Sequence, residues 1–452
     1  MFRSVWLLLI PLLATRLCAQ QINGQDQVLQ QILQRLDTLE RQNRELLEEV
    51  KQLRQAQAPV AAAPAPPEPL TQPPIAERVK VAETRIEEQA QTKVESSQKF
   101  PLSLDGMLLF NAFANNQNAA AVFGGYGLLS GASRSGATLR QTMLGLEFHG
   151  PALPGGGHVE GDVSMDFWAG PPVPSDNWLR IRRAGVSLIW PTRSFFFGQD
   201  KPLIASYEPN SLAQVGVPSM AGSGNLWYWL PQVRFEQKVR FGAASGIKAQ
   251  VAAVQVGGFL PVSTATASNP YPNAARPALQ GRVALWHDSG DDKKFELAPG
   301  FQITSNRIAG TTIVSQLATF DWLYKLHPKL EWKGTGFLGR NATSLGGLGN
   351  SFYEDSSGSI HAARAAGGWT QLSSRLNNRV TLNVISGLEN DQMGDNSYGA
   401  GIAHSLSFAG NIMFHLSPNV LLSLEAQRLW IRTFAGSPDS YNHYDLALAY
   451  LF

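Results

Sequence analysis

The chain has 452 residues, with 37 Lys and Arg against 35 Asp and Glu, eight His and one cysteine. Charged residues make up only 16%, against about a quarter in ordinary water-soluble domains, while 42 Gly, 22 Phe, 11 Trp and 10 Tyr favour strands and turns over helical bundles. The near-neutral balance argues against a nucleic-acid binder, and the single cysteine excludes a disulfide framework or an all-cysteine metal centre.

Residues 1–19 read as a secretory signal: Arg3, an apolar stretch from Val5 to Ala14 broken by Pro11, then Leu17-Cys18-Ala19 as a cleavage site. Such a stretch is too short for a membrane-spanning helix, which takes about 20 residues. Cleavage after Ala19 removes the one cysteine, which suits an exported protein in an oxidising compartment. Residues 20–57 are expected to form a periplasmic coiled coil. Leu29, Leu36, Asn43 and Val50 fall at heptad position a, and Ile32, Leu39, Leu46 and Leu53 at d. Asn43 in that seam sets register and strand number at a cost in stability, and Leu33 and Leu47 at e favour three helices over two. Residues 58–74 hold seven prolines and read as an extended linker. Residues 75–99 resume weaker helical spacing through Ile75, Val79, Ala82 and Ile86.

From residue 100 to 452 the repeating pattern is alternation. It predicts sixteen strands: 101–114, 137–150, 156–170, 177–190, 193–199, 229–241, 246–259, 278–288, 294–304, 312–327, 329–341, 360–375, 379–391, 402–416, 419–434 and 440–452. In 229–241, Trp229, Val233, Phe235, Val239 and Phe241 alternate with Gln232, Arg234, Glu236, Lys238 and Arg240. The links at 151–155, 191–192, 242–245, 289–293, 328, 376–378 and 417–418 are all short. Those of the other phase include the long stretches 115–136, 200–228, 260–277 and 342–359. Short turns on one side and long loops on the other are the signature of an outer-membrane barrel, and only a closed barrel lets strands satisfy their backbone in lipid. The expected fold is therefore an all-β transmembrane barrel of about 16 antiparallel strands, preceded by the coiled coil.

Phe452, with Tyr450 and Leu448 in phase, resembles the C-terminal signal read by the barrel-assembly machinery. The whole layout resembles the DcaP-like porins, trimeric relatives of the phosphate-selective porins. The matching stretches are Leu139-Arg140-Gln141-Thr142-Met143-Leu144-Gly145-Leu146-Glu147, Gly198-Gln199-Asp200 and Ser223-Gly224-Asn225-Leu226-Trp227. The resemblance implies a homotrimer in outer-membrane lipid, an association with dicarboxylates, and an inward fold for the loop 200–228.

Lumen-facing residues set the selectivity of a channel. Strict parity points Arg180, Arg182, Arg234, Lys238, Arg240, Arg282, Lys325, Lys333 and Arg379 inward, with Glu160, Asp162, Asp166, Glu236, Glu296, Asp321, Glu331 and Glu389. Asp166 lies level with Arg180 and Arg182 and is expected to pair with them. Arg180, Arg182 and Arg234 opposite Glu208 on the folded-in loop would form a transverse field selecting small polar or anionic solutes. The eight histidines lack ligand spacing and no nucleophile motif appears, so neither metal, cofactor nor enzymatic activity is expected. The expected function is a porin for passive diffusion of small hydrophilic, carboxylate-type solutes. The alternative is a barrel-anchored spacer that uses its coil as a periplasmic tether.

Overall fold

The computed structural model describes residues 102–115, 135–170, 177–256, 273–290, 294–308, 310–394, 401–436 and 438–452. The expected signal, the coiled coil with Asn43, the linker and the 75–99 helix lie outside the described residues.

The strands are β1 Leu102–Asn115, β2 Ser135–Thr138, β3 Met143–Leu153, β4 Gly157–Ala169, β5 Trp178–Ile189, β6 Arg193–Asp200, β7 Leu230–Arg240, β8 Ser245–Val254, β9 Asn273–Asp288 and β10 Lys294–Ile308. They continue with β11 Thr311–His327, β12 Leu330–Arg340, β13 Phe352–Glu354, β14 Ile360–Ala362, β15 Arg364–Arg375, β16 Val380–Gln392, β17 Ile402–Ser417, β18 Val420–Thr433 and β19 Pro438–Leu451. β2 and β3 both pair with β1 and act as one broken stave, and β13–β14 form a separate hairpin. The rest pair antiparallel in chain order until β19 returns to β1, with Met107 opposite Leu451 and Asn115 opposite His443. The result is a closed ring of sixteen staves, each matching one of the expected strands. Closure leaves no unpaired ladder edge.

Period-two alternation decides which side faces outward. On β19, Tyr444, Leu446, Leu448 and Tyr450 are exposed, while Ala447 and Ala449 are fully buried inside. On β19 the inside positions His443, Asp445, Ala447 and Ala449 are polar or small.

Three local departures matter for the interior. The stave expected at 137–150 is broken at 139–142, where Arg140, Gln141 and Thr142 leave the ladder and turn inward. Thr142 Oγ1 takes the Leu109 N–H at 3.1 Å in place of a ladder carbonyl. Between β4 and β5, Ser164 faces Arg183 but Met165 faces Ile181, so Arg182 is an extra residue in a β-bulge. The phase of β5 flips there: Leu179 and Ile181 face out before it, Val186 after it. Finally, the link expected at 342–359 contains a 3-10 turn, Ala342–Leu345, and β13, while the first residues of the strand expected at 360–375 form β14 of the separate hairpin, so that stave begins at Arg364. At the hairpin tip, bonds from the Ser357 hydroxyl, His361 and backbone amides hold the Asp355 carboxyl well below the usual carboxylate range.

Candidate functional site

The segment 201–229 between β6 and β7 folds into the barrel and is bonded around most of the ring. Leu203 N–H donates to Gln280 on β9 at 2.8 Å, Ser206 N–H to Asp321 on β11 at 3.3 Å, and Asn210 N–H to Gln371 on β15 at 2.6 Å. Farther along, the Leu212 carbonyl accepts from Asn111 on β1 at 2.9 Å, Ser211 donates to Glu425 on β18 at 2.6 Å, and Ser223 meets Ser405 on β17 at 2.5 Å. Gln141, from the broken stave, acts as a clamp. Its Nε2 donates to the Ala213 carbonyl at 2.8 Å, and its Oε1 accepts from the N–H groups of Val215 and Gly216 at 2.7 and 2.8 Å.

The loop tip is seated where the wall has no side chains. A Cβ at Gly224 would strike the Gly368 backbone, and one at Gly387 would strike the Ser223 carbonyl. Gly224 also sits at φ +97°, a conformation L side chains rarely adopt.

A second segment, 341–363 between β12 and β15, also folds inward and locks against the first. Tyr228 N–H donates to the Leu345 carbonyl at 3.2 Å. Leu203, Ile204 and Leu226 of one loop, and Ala342 and Leu345 of the other, share an apolar cluster with Ala252, Val254, Ala278, Leu317, Phe337 and Ala365 of the wall. This cluster occupies the lumen beside β8–β12 and β15. Sequence reasoning missed this second loop.

The charged wall lies on β4–β7. Asp166 is fully buried, with Arg180 at 2.5 Å and Arg182 at 3.6 Å, and the predicted pairing is present. Both arginines also hold the loop: Arg180 donates to the Gly216 carbonyl, and Arg182 to the Val215 carbonyl at 3.0 Å. Their guanidinium carbons lie 5.0 and 4.4 Å from the Trp229 ring centroid. A second set adjoins. Arg183 reaches Asp162 at 3.2 Å and Asp200 at 3.6 Å, and Arg234 reaches Asp200 at 2.7 Å. These two guanidiniums stand 5.8 and 4.8 Å from the Phe196 ring. Arg183 escaped the parity reading because the bulge at Arg182 turns two consecutive residues inward; consecutive arginines in 179–183 were the available signal. Arg140 is buried elsewhere, donating to the Trp168 carbonyl at 2.7 Å with its guanidinium 5.2 Å from the Trp168 ring. Arg240 stands apart, exposed at the short-turn end of β7.

Glu208 does not face this wall as a free charge. It pairs with Lys201 of its own loop at 2.7 Å, because the loop doubles back and brings the two side by side. Buried carboxyl groups that meet no Lys or Arg, among the described residues, include Glu389, Asp391 and Glu425 on β16 and β18 and Asp445 on β19. They are solvated by loop and wall donors instead. Glu389 accepts from Leu348 N–H at 2.9 Å, Asp391 from Asn350 at 2.9 Å, and Glu425 from Ser211 and Asn411 at 2.6 and 3.0 Å. Arginines thus gather on β5–β7, paired with Asp166 and Asp200, and carboxyl groups without a cationic partner gather on β16–β19.

Of the other residues expected to face inward, Arg282 is buried between Glu296 at 2.6 Å and Asp321 at 3.1 Å, and Lys333 reaches Asn210 of the loop at 2.7 Å. Open space remains on both sides of the arginine wall. A cavity of about 540 Å³ is lined by Asp162, Arg182, Arg183, Asp200, Lys201 and Glu208 together with Phe452. Another, of about 370 Å³, lies between the two loops, lined by Trp168, Arg180, Trp227, Tyr228 and the 346–349 backbone. At the seam, Phe452 N–H donates to Gly106 at 3.2 Å and Gly106 N–H to Phe452 at 3.1 Å, while Tyr450 faces Leu108.

No family model matches the sequence, and no curated protein does. Solved structures share the fold. The outer membrane channel DcaP of Acinetobacter baumannii is 17% identical with a TM-score of 0.65, covering 78% of this chain and 97% of that one. An anion-selective porin from Comamonas acidovorans is 14% identical with a TM-score of 0.52, covering 78% and 99%. OmpF of Salmonella typhi, in complex with daunomycin, is 10% identical with a TM-score of 0.51, covering 78% and 97%. The likeness is one of fold: a sixteen-stranded porin barrel.

Proposed function

We propose that the chain is an outer-membrane porin for passive diffusion of small hydrophilic solutes, with a moderate preference for small anions of the carboxylate type. The observation that carries this reading is the inward loop 201–229, docked against a wall of arginines and leaving polar, charge-lined cavities on either side. A solute crossing such a lumen meets Arg183 and Arg234 held in place by Phe196, Asp162 and Asp200. Two unit charges 4 Å apart interact by about 4 kcal/mol at an effective dielectric of 20, so a few fixed charges at a narrow point outweigh the chain's near-neutral total. The same barrel in an anion-selective porin adds support. The protein is read as a homotrimer inserted by the barrel-assembly machinery through Phe452 and Tyr450. Its N-terminal heptads form a coil in the periplasm, with Asn43 setting the register.

The test is the reversal potential in planar bilayers under a salt gradient. Replacing Arg183 and Arg234 by Gln removes two wall charges without touching the loop's backbone anchors and should move the potential towards cations. Adding Arg180→Gln and Arg182→Gln should move it further. An unchanged preference in a folded fourfold variant would sink the anion reading, and absence of current in the wild type would sink the porin reading.

A further inference from the structure

At the long-loop end of the staves, the lipid-facing surface changes character. β12 and β15 run side by side with Leu338 opposite Ala366, and they end with Arg340 opposite Arg364. Leu338, 67% exposed, and Leu372 fix the outward phase of the two staves. By the two-residue period, Arg340 and Arg364 therefore leave the barrel on its outer face, and both are exposed. Among the described residues, neither has an ion-pair or side-chain hydrogen-bond partner. Like charges directly opposite each other on a sheet repel. Among the described residues nothing offsets that repulsion here.

The surroundings add donors but no carboxylate from the neighbouring outward positions. Gln392 faces Arg364 across the next ladder, Asn390 bonds His404 at 2.5 Å, and His404 faces Arg432. Between the two arginines lies an open cavity of about 520 Å³, lined also by Val314, Gln316 and Gly339. Below it the surface returns to Val314, Leu338 and Leu372, all exposed.

We propose that Arg340 and Arg364 bind a phosphate of a phosphorylated glycolipid of the outer leaflet, with an acyl chain of that lipid lying against Val314 and Leu338. A phosphate supplies the negative charge and paired acceptor oxygens that a forked guanidinium matches. The site stands where the apolar belt of the barrel gives way to the headgroup layer, so headgroup and chain are met at their own depths. The proposal rests on the outer-membrane reading for the direction in which the long loops point.

The experiment uses the full chain in neutral detergent and native mass spectrometry with purified diphosphorylated lipid A, its dephosphorylated form and phosphatidylethanolamine. Wild-type protein should retain the diphosphorylated lipid and release the other two. Arg340→Gln with Arg364→Gln should weaken retention about tenfold or more, the scale expected for losing charge-assisted hydrogen bonds, and Lys at both positions should restore part of it. Heat-modifiable migration reports that the variants are folded. Equal retention of the phosphorylated and dephosphorylated lipids by the wild type, or undiminished retention by the folded Gln variant, would overturn the proposal. Loss by excess inorganic phosphate should be partial; complete displacement would overturn the acyl contact. Ion current in neutral bilayers is read separately and bears on the porin reading, not on this one.

Discussion

Asp166 meets two guanidiniums in a place that water does not reach. Arg180 and Arg182 also bind loop carbonyls, so Asp166 sets the charge of the wall and, through it, the seat of the loop. Breaking one partner out of a buried ion pair costs about 3–5 kcal/mol. Asp166→Asn should therefore lower the temperature at which the folded band disappears on gels. In bilayers the same variant should be more anion-preferring than the wild type, since two positive charges lose their counter-charge. A reversal potential that stays put would mean these arginines are walled off from permeating ions. Residue types were legible in advance here and side-chain direction was only partly so. Parity placed Arg180, Arg182 and Arg234 inward, but it missed Arg183, because a bulge depends on how β4 and β5 settle their register.

At the scale of elements, the loop 201–229 depends on glycines that belong to the wall as much as on its own. Gly387→Val would push a side chain into the Ser223 carbonyl, and the tip could not seat. The expected outcome is a barrel that still inserts, with higher single-channel conductance and weaker ion preference; an unaltered conductance would show that the tip does not narrow the path. The length of the 200–228 link marked it as special in the sequence. The companion link at 342–359 was also long, but nothing in its sequence distinguished it from 115–136 or 260–277. Its burial follows from acceptors far away in the chain, Glu389 for Leu348 N–H and Asp391 for Asn350. Gln141 is a related case: the run Arg140-Gln141-Thr142 interrupts alternation, but its partners lie more than seventy residues on.

Over the whole molecule, the sixteen staves were legible because each repeats the same period-two signal and every second link is short. The ring closes along the β1–β19 ladder, and at its short-turn end Phe452 exchanges two hydrogen bonds with Gly106. Removing Phe452, or replacing it by Asp, should lower the amount of heat-modifiable protein recovered from membranes; normal amounts would show that closure needs only the upper part of the β1–β19 ladder. Deleting residues 20–57 should leave barrel insertion intact while reducing the trimer captured by crosslinking, since the heptads precede the barrel and are separated from it by a Pro-rich linker.

The two inward loops share one apolar cluster and are tied by the bond from Tyr228 to Leu345. Neither can swing away without exposing the leucines of the other. In an electrical recording, such a coupling turns two potential sources of flicker into one. The current through a single barrel should step between two levels, and a third, intermediate level should emerge only when the shared cluster is cut, as by Leu345→Ser.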